Sequence, residues 1–196
     1  MAHQYKRDFT PHLIPELLLA PLSVKKPSRI LVNFTGDLFG DWVDPEMKIN
    51  EIDEDGEIDV VSLRSRVFQV IRVWPEHTFF FLTKAPWNYQ KWGEFPSNAW
   101  LGVSVTTCYP QEWENFDHAR GGHRWVSYEP LLADPRQTIH LIQNLGIEWV
   151  VIGAQSGRHP VQPKIEWVTQ IIEACDKIGI PVWLKNNLFG SIGVVE

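Results

Sequence analysis

The chain has 196 residues, of which 44% are hydrophobic, and this length suits one substantial core rather than two ordinary domains. Its formal net charge of −6 excludes a general binder of nucleic acids or of anionic membranes, because such proteins normally present a basic face. The sequence also lacks an apolar run of membrane-spanning length and a signal-like start, so we predict a single cytoplasmic domain without membrane partners.

The first segment is rich in proline. Residues 1–28 contain four prolines, which forbid a long helix, so we predict an irregular lead-in to a body of β/α repeats over residues 29–188. The apolar run Arg29–Asn33 predicts the first strand, and residues 44–62 are predicted to form an acidic connecting loop. Leu63–Trp74 follows with apolar residues at helical spacing, which predicts an amphipathic helix that ends before the next proline.

The remainder of the chain alternates short apolar runs with helical patterns. Thr78–Leu82 and Ala99–Val105 predict the second and third strands, joined by a short helix over Pro86–Trp92. Gln111–Arg120 predicts a helix that stops at the diglycine that follows it. The last three strands are predicted at Arg124–Ser127, Trp149–Ile152 and Val182–Leu184, with helices between them that begin near Asp134 and Ile165 and end at Gly146 and Gly179.

Six strands that alternate with helical segments are typical of right-handed βαβ units and of a parallel sheet. A complete eightfold barrel usually needs about 250 residues. The predicted fold is therefore α/β, an incomplete (β/α) TIM-like barrel with about six parallel strands. The alternative is a flat, doubly wound sheet, which is disfavoured because the first strand is followed by Asn-Phe-Thr-Gly-Asp rather than by Gly-x-Gly-x-x-Gly.

Polar side chains follow the predicted strands at the point where each strand ends. In a parallel sheet these carboxyl ends meet at one edge, which is where ligands bind in barrels. The polar side chains at this edge carry charges of both signs, which predicts a binding site for a small polar or zwitterionic ligand. We call this edge of the sheet the mouth. The alternative is that Lys84, Glu129 and Lys185 only compensate one another's charge. The candidate ligand-binding residues are Asn33, Asp37, Lys84, Ser104, Ser127, Glu129, Gln155, Ser156 and Lys185, whereas catalytic residues cannot be assigned.

Three weaker patterns concern metal ions. Residues 51–62 nearly match a calcium loop but lack the usual ligands at its two ends, so a solvated acidic loop is favoured. His118 and His123 lie around the diglycine without a third ligand at helical or turn spacing. Cys108 and Cys175 lie in different segments without metal spacing. The sequence therefore predicts neither a disulfide framework nor a metal site.

Six ordered blocks carry a resemblance to a known group: Arg29–Phe39, Phe81–Lys84, Trp100–Val105, Trp125–Leu132, Trp149–Gly157 and Val182–Lys185, with Asp8–Pro11 upstream of them. Together they resemble the phage-associated family of uncharacterised, radical-SAM-like proteins found in bacteria, archaea and their viruses. The resemblance implies a partial (β/α) barrel. It also implies a cysteine loop that would hold a [4Fe–4S] cluster and S-adenosylmethionine.

The chain departs from that family pattern at two places. The cysteine loop that relatives carry upstream of the region matching Met1–Thr10 is missing, and Cys108 and Cys175 cannot replace three converging thiolates. The relatives' Gly-Gly-Glu-Ser-Gly block begins here at Gly153 and has Gln155 in place of the glutamate. Either the first methionine is internal to a longer gene, or the chain is a shortened, cluster-free version.

We therefore hypothesise a truncated or degenerate radical S-adenosylmethionine-like protein of unknown substrate, with a ligand-binding mouth at the strand ends. S-adenosylmethionine is its candidate ligand, and a [4Fe–4S] cluster is expected only if cysteines come from outside this chain. One alternative is a non-catalytic interaction module, completed by a partner chain at the open edge beside Arg29–Asn33. Another is a cluster-independent barrel enzyme that acts on a small polar substrate. An incomplete barrel lacks a βα unit that would cover part of its apolar surface. We therefore expect the chain to self-associate through that exposed surface.

Overall fold

The computed structural model describes residues 12–32, 36–52 and 58–188. Its strands form one six-stranded parallel sheet and one separate antiparallel pair. In chain order the strands are β1 (Arg29–Leu31), β2 (Lys48–Ile52), β3 (Ile58–Ser62), β4 (Thr78–Thr83), β5 (Glu94–Val105), β6 (Arg120–Tyr128), β7 (Trp149–Ile152) and β8 (Val182–Leu184), of which β2 and β3 make the antiparallel pair.

The order of the strands decides between the two predicted architectures. In the parallel sheet β1-β4-β5-β6-β7-β8, each strand lies beside the next one along the chain. A doubly wound sheet reverses this order at a switch point, whereas a barrel keeps it throughout. The sheet curls into half of a barrel, so the predicted incomplete TIM-like barrel is confirmed and the doubly wound alternative is wrong.

Three α-helices lie in the described part of the chain: α1 (Leu63–Val73), α2 (His140–Asn144) and α3 (Ile165–Ile178). Helix α1 begins where the Ser62 side chain accepts a hydrogen bond from the N–H of Ser65 at 3.2 Å, which is ordinary N-capping. Helix α3 ends at Gly179, whose φ of 72° gives the left-handed cap that the sequence predicts. None of the described helices has the length and hydropathy of a membrane span.

The helix predicted over Gln111–Arg120 is wrong. Two short 3₁₀ segments, Pro110–Trp113 and Phe116–His118, are separated by Asn115, whose left-handed backbone has a φ of 55°. Glu112 organises the segment, because its carboxylate accepts hydrogen bonds from three backbone N–H groups. The donors are Thr106, Thr107 and Tyr109, at 2.8 to 3.1 Å.

The diglycine does not end a helix but lies inside β6. Gly121 and Gly122 have φ values of 75° and 62°. A Cβ at these positions would lie 2.1 Å from the Phe95 carbonyl oxygen and 2.2 Å from the Ala99 carbonyl oxygen, respectively. The two glycines therefore let β6 approach an irregular stretch of β5, where the register shifts.

Two segments predicted to be irregular contain regular structure. Pro15–Ser23, inside the predicted lead-in, forms a 3₁₀ helix. Strands β2 and β3 pair in antiparallel fashion within the predicted acidic loop, and residues 53–57, between them in the sequence, lie outside the described residues. A calcium loop of the EF-hand type joins two helices, so this strand pair does not provide its context.

Side chains alternate between the two faces of the sheet. The outer face belongs to the main core, in which Phe81 of β4 packs against Phe39 with ring centroids 5.8 Å apart. The inner face carries an aromatic cluster formed by Phe80, Trp100, Trp125 and Trp149. In this cluster Phe80 stacks on Trp100 at 5.5 Å, and Trp125 stacks on Trp149 at 5.2 Å.

Gly102 makes room for this aromatic cluster. A Cβ at Gly102 would lie 2.4 Å from the Trp125 ring and 2.7 Å from the Phe81 carbonyl oxygen, to which the indole N–H of Trp125 donates a hydrogen bond. We expect Gly102→Ala to lower the free energy of unfolding by about 1–3 kcal/mol, because the ring must leave its place. Urea denaturation measures the change. A variant as stable as the wild type would contradict this packing.

Candidate functional site

Lys84 lies just beyond the end of β4, and its Nζ donates a hydrogen bond to Ser104 Oγ at 2.9 Å. Ser104 and Ser127 face each other as partners on β5 and β6, and both are buried. The sequence predicted these three residues for the mouth from separate strand ends. The structure brings them together on the inner face.

Glu129 and Lys185 form an ion pair at the same edge of the sheet, between the ends of β6 and β8. Gly153, which follows β7, lies beneath this pair. A Cβ at Gly153 would lie 3.1 Å from Lys185 Cδ and 3.2 Å from Glu129 Cδ. The lysine side chain is 42% exposed and the glutamate side chain 28% exposed, so solvent reaches both charged groups.

Aromatic side chains lie below and beside these polar groups. The aromatic cluster occupies the inner face nearer the amino ends of the strands. Trp125 precedes Ser127 by two residues on β6, and Trp149 of β7 precedes Gly153 by four residues. Trp183 of β8 is 59% exposed and pairs with Val151 of β7. The mouth thus combines charged groups at its opening with aromatic surface deeper inside.

Asp37 holds the backbone around the mouth rather than standing free in it. Its carboxylate accepts hydrogen bonds from the N–H of Phe39 at 2.9 Å, the hydroxyl of Thr83 at 2.8 Å and the N–H of Lys84 at 3.2 Å. This arrangement fixes the end of β4, from which Lys84 extends. Asn33, the other candidate from this connection, lies outside the described residues.

Gln155 and Ser156 hold the connection that leaves β7. The Gln155 side-chain oxygen accepts a hydrogen bond from the N–H of Val161 at 3.2 Å. The Ser156 hydroxyl accepts one from Asn187 Nδ2 at 3.4 Å. Asn187 also bonds both the N–H and the carbonyl of Ala154, at 3.2 and 2.8 Å. These contacts link the ends of β7 and β8. They do not join Gln155 or Ser156 to Lys84, Ser104 or Ser127.

Two contributors to the mouth were missed by sequence reasoning, namely Gly153 and Trp183. The alternation of side chains carried a usable signal, because Trp183 is two residues before Lys185 and therefore shares its face. The sequence did not indicate the role of Gly153, because this role depends on which side chains from neighbouring strands pack over the glycine.

The residues of this chain do not fit a [4Fe–4S] cluster. Such a cluster needs three or four thiolates, and the sequence has two cysteines. Burial raises the pKa of Cys108 to about 12 and that of Cys175 to about 11, so both thiols stay protonated near neutral pH. Both belong to the main core on the outer side of the sheet. Among the described residues, no group of three His, Cys, Asp or Glu side chains is arranged to hold a metal ion.

One family model matches almost the whole chain. Residues 2–191 match the model of a family described as "Protein of unknown function (DUF5131)". The chain belongs to the DUF5131 family. The expectation of an uncharacterised family is thus confirmed. The DUF5131 description names no activity, cofactor, phage or partner, so the phage association and the radical-SAM relationship stay expectations.

Other comparisons add little about DUF5131. No curated protein sequence matches the chain significantly. Among solved structures, the chitinase domain of the spore coat protein CotE from Clostridium difficile is similar at 13% identity, with a TM-score of 0.30. The match covers 86% of this chain and 66% of the chitinase-domain chain. At that TM-score the similarity supports no argument about fold or activity.

Proposed function

We propose that this DUF5131 protein binds a small zwitterionic molecule at the mouth of its half-barrel, with S-adenosylmethionine as the first candidate. The observation that carries the proposal is the Glu129–Lys185 ion pair, which lies over Gly153 at the carboxyl edge of the sheet. A carboxylate there can bind the ammonium group of a ligand, and nearby lysines can bind its carboxylate. The site lies at the edge where parallel barrels bind their ligands.

A purely structural role explains the ion pair poorly. Solvent-exposed ion pairs typically add only about 0–1 kcal/mol to stability, because water screens the charges and the side chains lose freedom. Both partners of the Glu129–Lys185 pair are partly exposed, so either charge can turn towards a ligand. Because Gly153 has no side chain, the Glu129 and Lys185 side chains lie directly over its backbone and meet at the mouth.

The connections around the mouth are fixed by side chains that bond to backbone. Asp37 holds the end of β4, Glu112 holds the segment after β5, and Asn187 joins the ends of β7 and β8. A rim that is ordered before binding loses less conformational freedom when a ligand arrives. This feature supports a binding site on the rim.

The proposal concerns binding and not radical chemistry. The cysteines of this chain do not fit the iron–sulfur cluster that radical cleavage of S-adenosylmethionine requires, so no catalytic step is assigned to its residues. S-adenosylmethionine remains a suitable test ligand because its amino-acid end carries both an ammonium group and a carboxylate.

Isothermal titration calorimetry with S-adenosylmethionine tests the proposal. We expect saturable binding to the wild-type chain and about tenfold weaker binding to Glu129→Gln, which loses one charge-assisted hydrogen bond. Glu173→Gln, the same change on the exposed side of α3, is the matched control and should bind like the wild type. Absence of saturable binding, or equal affinities for the two variants, would refute the proposed site.

A further inference from the structure

Ser127 of β6 is only 1% exposed, and its partner on β5, Ser104, is also buried. Ser127 follows Trp125 by two residues on β6 and therefore shares its face. Because the Trp125 ring covers Gly102 on the inner face, the Ser127 hydroxyl also faces the inside of the half-barrel.

Two further hydrogen-bond donors lie beside this hydroxyl. Ser104 Oγ accepts a hydrogen bond from Lys84 Nζ, which leaves the Ser104 hydroxyl hydrogen available to donate. Ser104 and Ser127 are partners on adjacent strands, and adjacent strands lie about 4.8 Å apart. Lys84 keeps two N–H groups beyond the one it donates to Ser104. The three side chains thus present donors to a common space.

The positive charge of Lys84 is not compensated by an ion pair within the described residues. Asp37 accepts hydrogen bonds from Phe39, Thr83 and the Lys84 backbone, and Glu129 at the same edge of the sheet pairs with Lys185. A cation beside two hydroxyl donors, with no carboxylate of its own, is an arrangement suited to an anion.

We infer that Lys84, Ser104 and Ser127 form an oxyanion subsite that receives a carboxylate or phosphate group of the ligand. The inference rests on the proposed function, which places a ligand at this mouth, and it specifies the ligand's chemistry. Glu129 lies two residues beyond Ser127, roughly 6.6 Å further along the strand direction. The subsite therefore selects molecules with an anionic group at one end and a cationic group a few bonds away.

Titration of the ¹⁵N-labelled full chain with acetate and, separately, with inorganic phosphate tests the subsite by nuclear magnetic resonance. We expect saturable shifts of the Ser104 and Ser127 amide signals. The Ser104→Ala/Ser127→Ala double variant should bind the preferred anion about tenfold more weakly, because hydrogen bonds to a charged group are lost. The ratio of the two wild-type affinities shows whether the subsite is built for a carboxylate or for a phosphate.

Two further variants keep the result interpretable. Ser97→Ala makes the same chemical change at an exposed position of β5 and should leave both affinities unchanged. Lys84→Ala should weaken anion binding like the serine variant and, because Lys84 is exposed, should keep the fold. Equal anion affinities in the wild type and the double variant, or shifts confined to other lysines, would overturn the inference. Anion binding without S-adenosylmethionine binding would instead refute only the proposed ligand.

Discussion

Gly153→Leu is expected to weaken binding of S-adenosylmethionine by about 100-fold or more, which corresponds to about 2.7 kcal/mol. A Cβ at this position already lies 3.1 Å from Lys185 Cδ and 3.2 Å from Glu129 Cδ, so a leucine side chain pushes both charged side chains away from the place where they meet. The backbone of Gly153 is outside the left-handed region, so a side chain causes no backbone strain. Both displaced side chains are partly exposed and can move outward, which limits the loss of stability to about 1 kcal/mol.

Calorimetry and urea denaturation on the same protein sample separate the two effects. Gly153→Ala provides a graded control, because its methyl group requires only small shifts of the two flexible side chains. We expect its affinity to lie between those of the wild type and the leucine variant. A folded Gly153→Leu protein that binds with wild-type affinity would show that the ligand does not bind at the Glu129–Lys185 pair.

Phe39→Ala is expected to lower the free energy of unfolding by about 3–5 kcal/mol. Phe39 is 1% exposed, and its ring centroid lies 4.3 Å from that of Tyr89 and 5.3 Å from that of Trp92. Removing the ring leaves a cavity between rigid aromatic neighbours that cannot collapse to fill it. Since small domains are stable by only about 5–15 kcal/mol, the variant should approach the threshold of folding.

The midpoint and slope of urea denaturation measure this loss. Trp42→Ala is the matched control, because it removes a large aromatic side chain from the same connection at a position that is 61% exposed. We expect the control to change stability by less than about 1 kcal/mol. A loss as large for Trp42→Ala as for Phe39→Ala would contradict the assignment of Phe39 to the core.

The repeating pattern of the sheet could be read from the sequence because each parallel strand is a short apolar run with a turn signal at its end. Val182–Leu184 was predicted with its observed bounds, and the capping of α3 by Gly179 follows from a local preference. The segment around Glu112 could not be read in this way. Its conformation depends on hydrogen bonds between one carboxylate and backbone groups before it, which override local helical preference.

The composition of the mouth was predictable only in part. Parallel strands bring their carboxyl ends to one edge, so Lys84 and Lys185 were placed correctly at that edge without any knowledge of their contacts. Sequence reasoning could not tell that Gln155 is bonded to Val161 within its own connection. It also could not tell that Lys84 donates a hydrogen bond to Ser104, because hydrogen bonding depends on tertiary geometry rather than on residue type.

A crystal structure of the chain grown with saturating S-adenosylmethionine tests whether this ligand binds in the mouth of the half-barrel. We expect ligand density beside the Glu129–Lys185 pair, with the carboxylate at Lys84 and the two serines and the ammonium group at Glu129. The outer side of the sheet offers a competing location, a shallow depression lined by Arg136, Ile139, Gln170, Glu173, Ala174 and Lys177. Density at that depression instead, or no ligand density in the mouth, would show that the mouth does not bind S-adenosylmethionine.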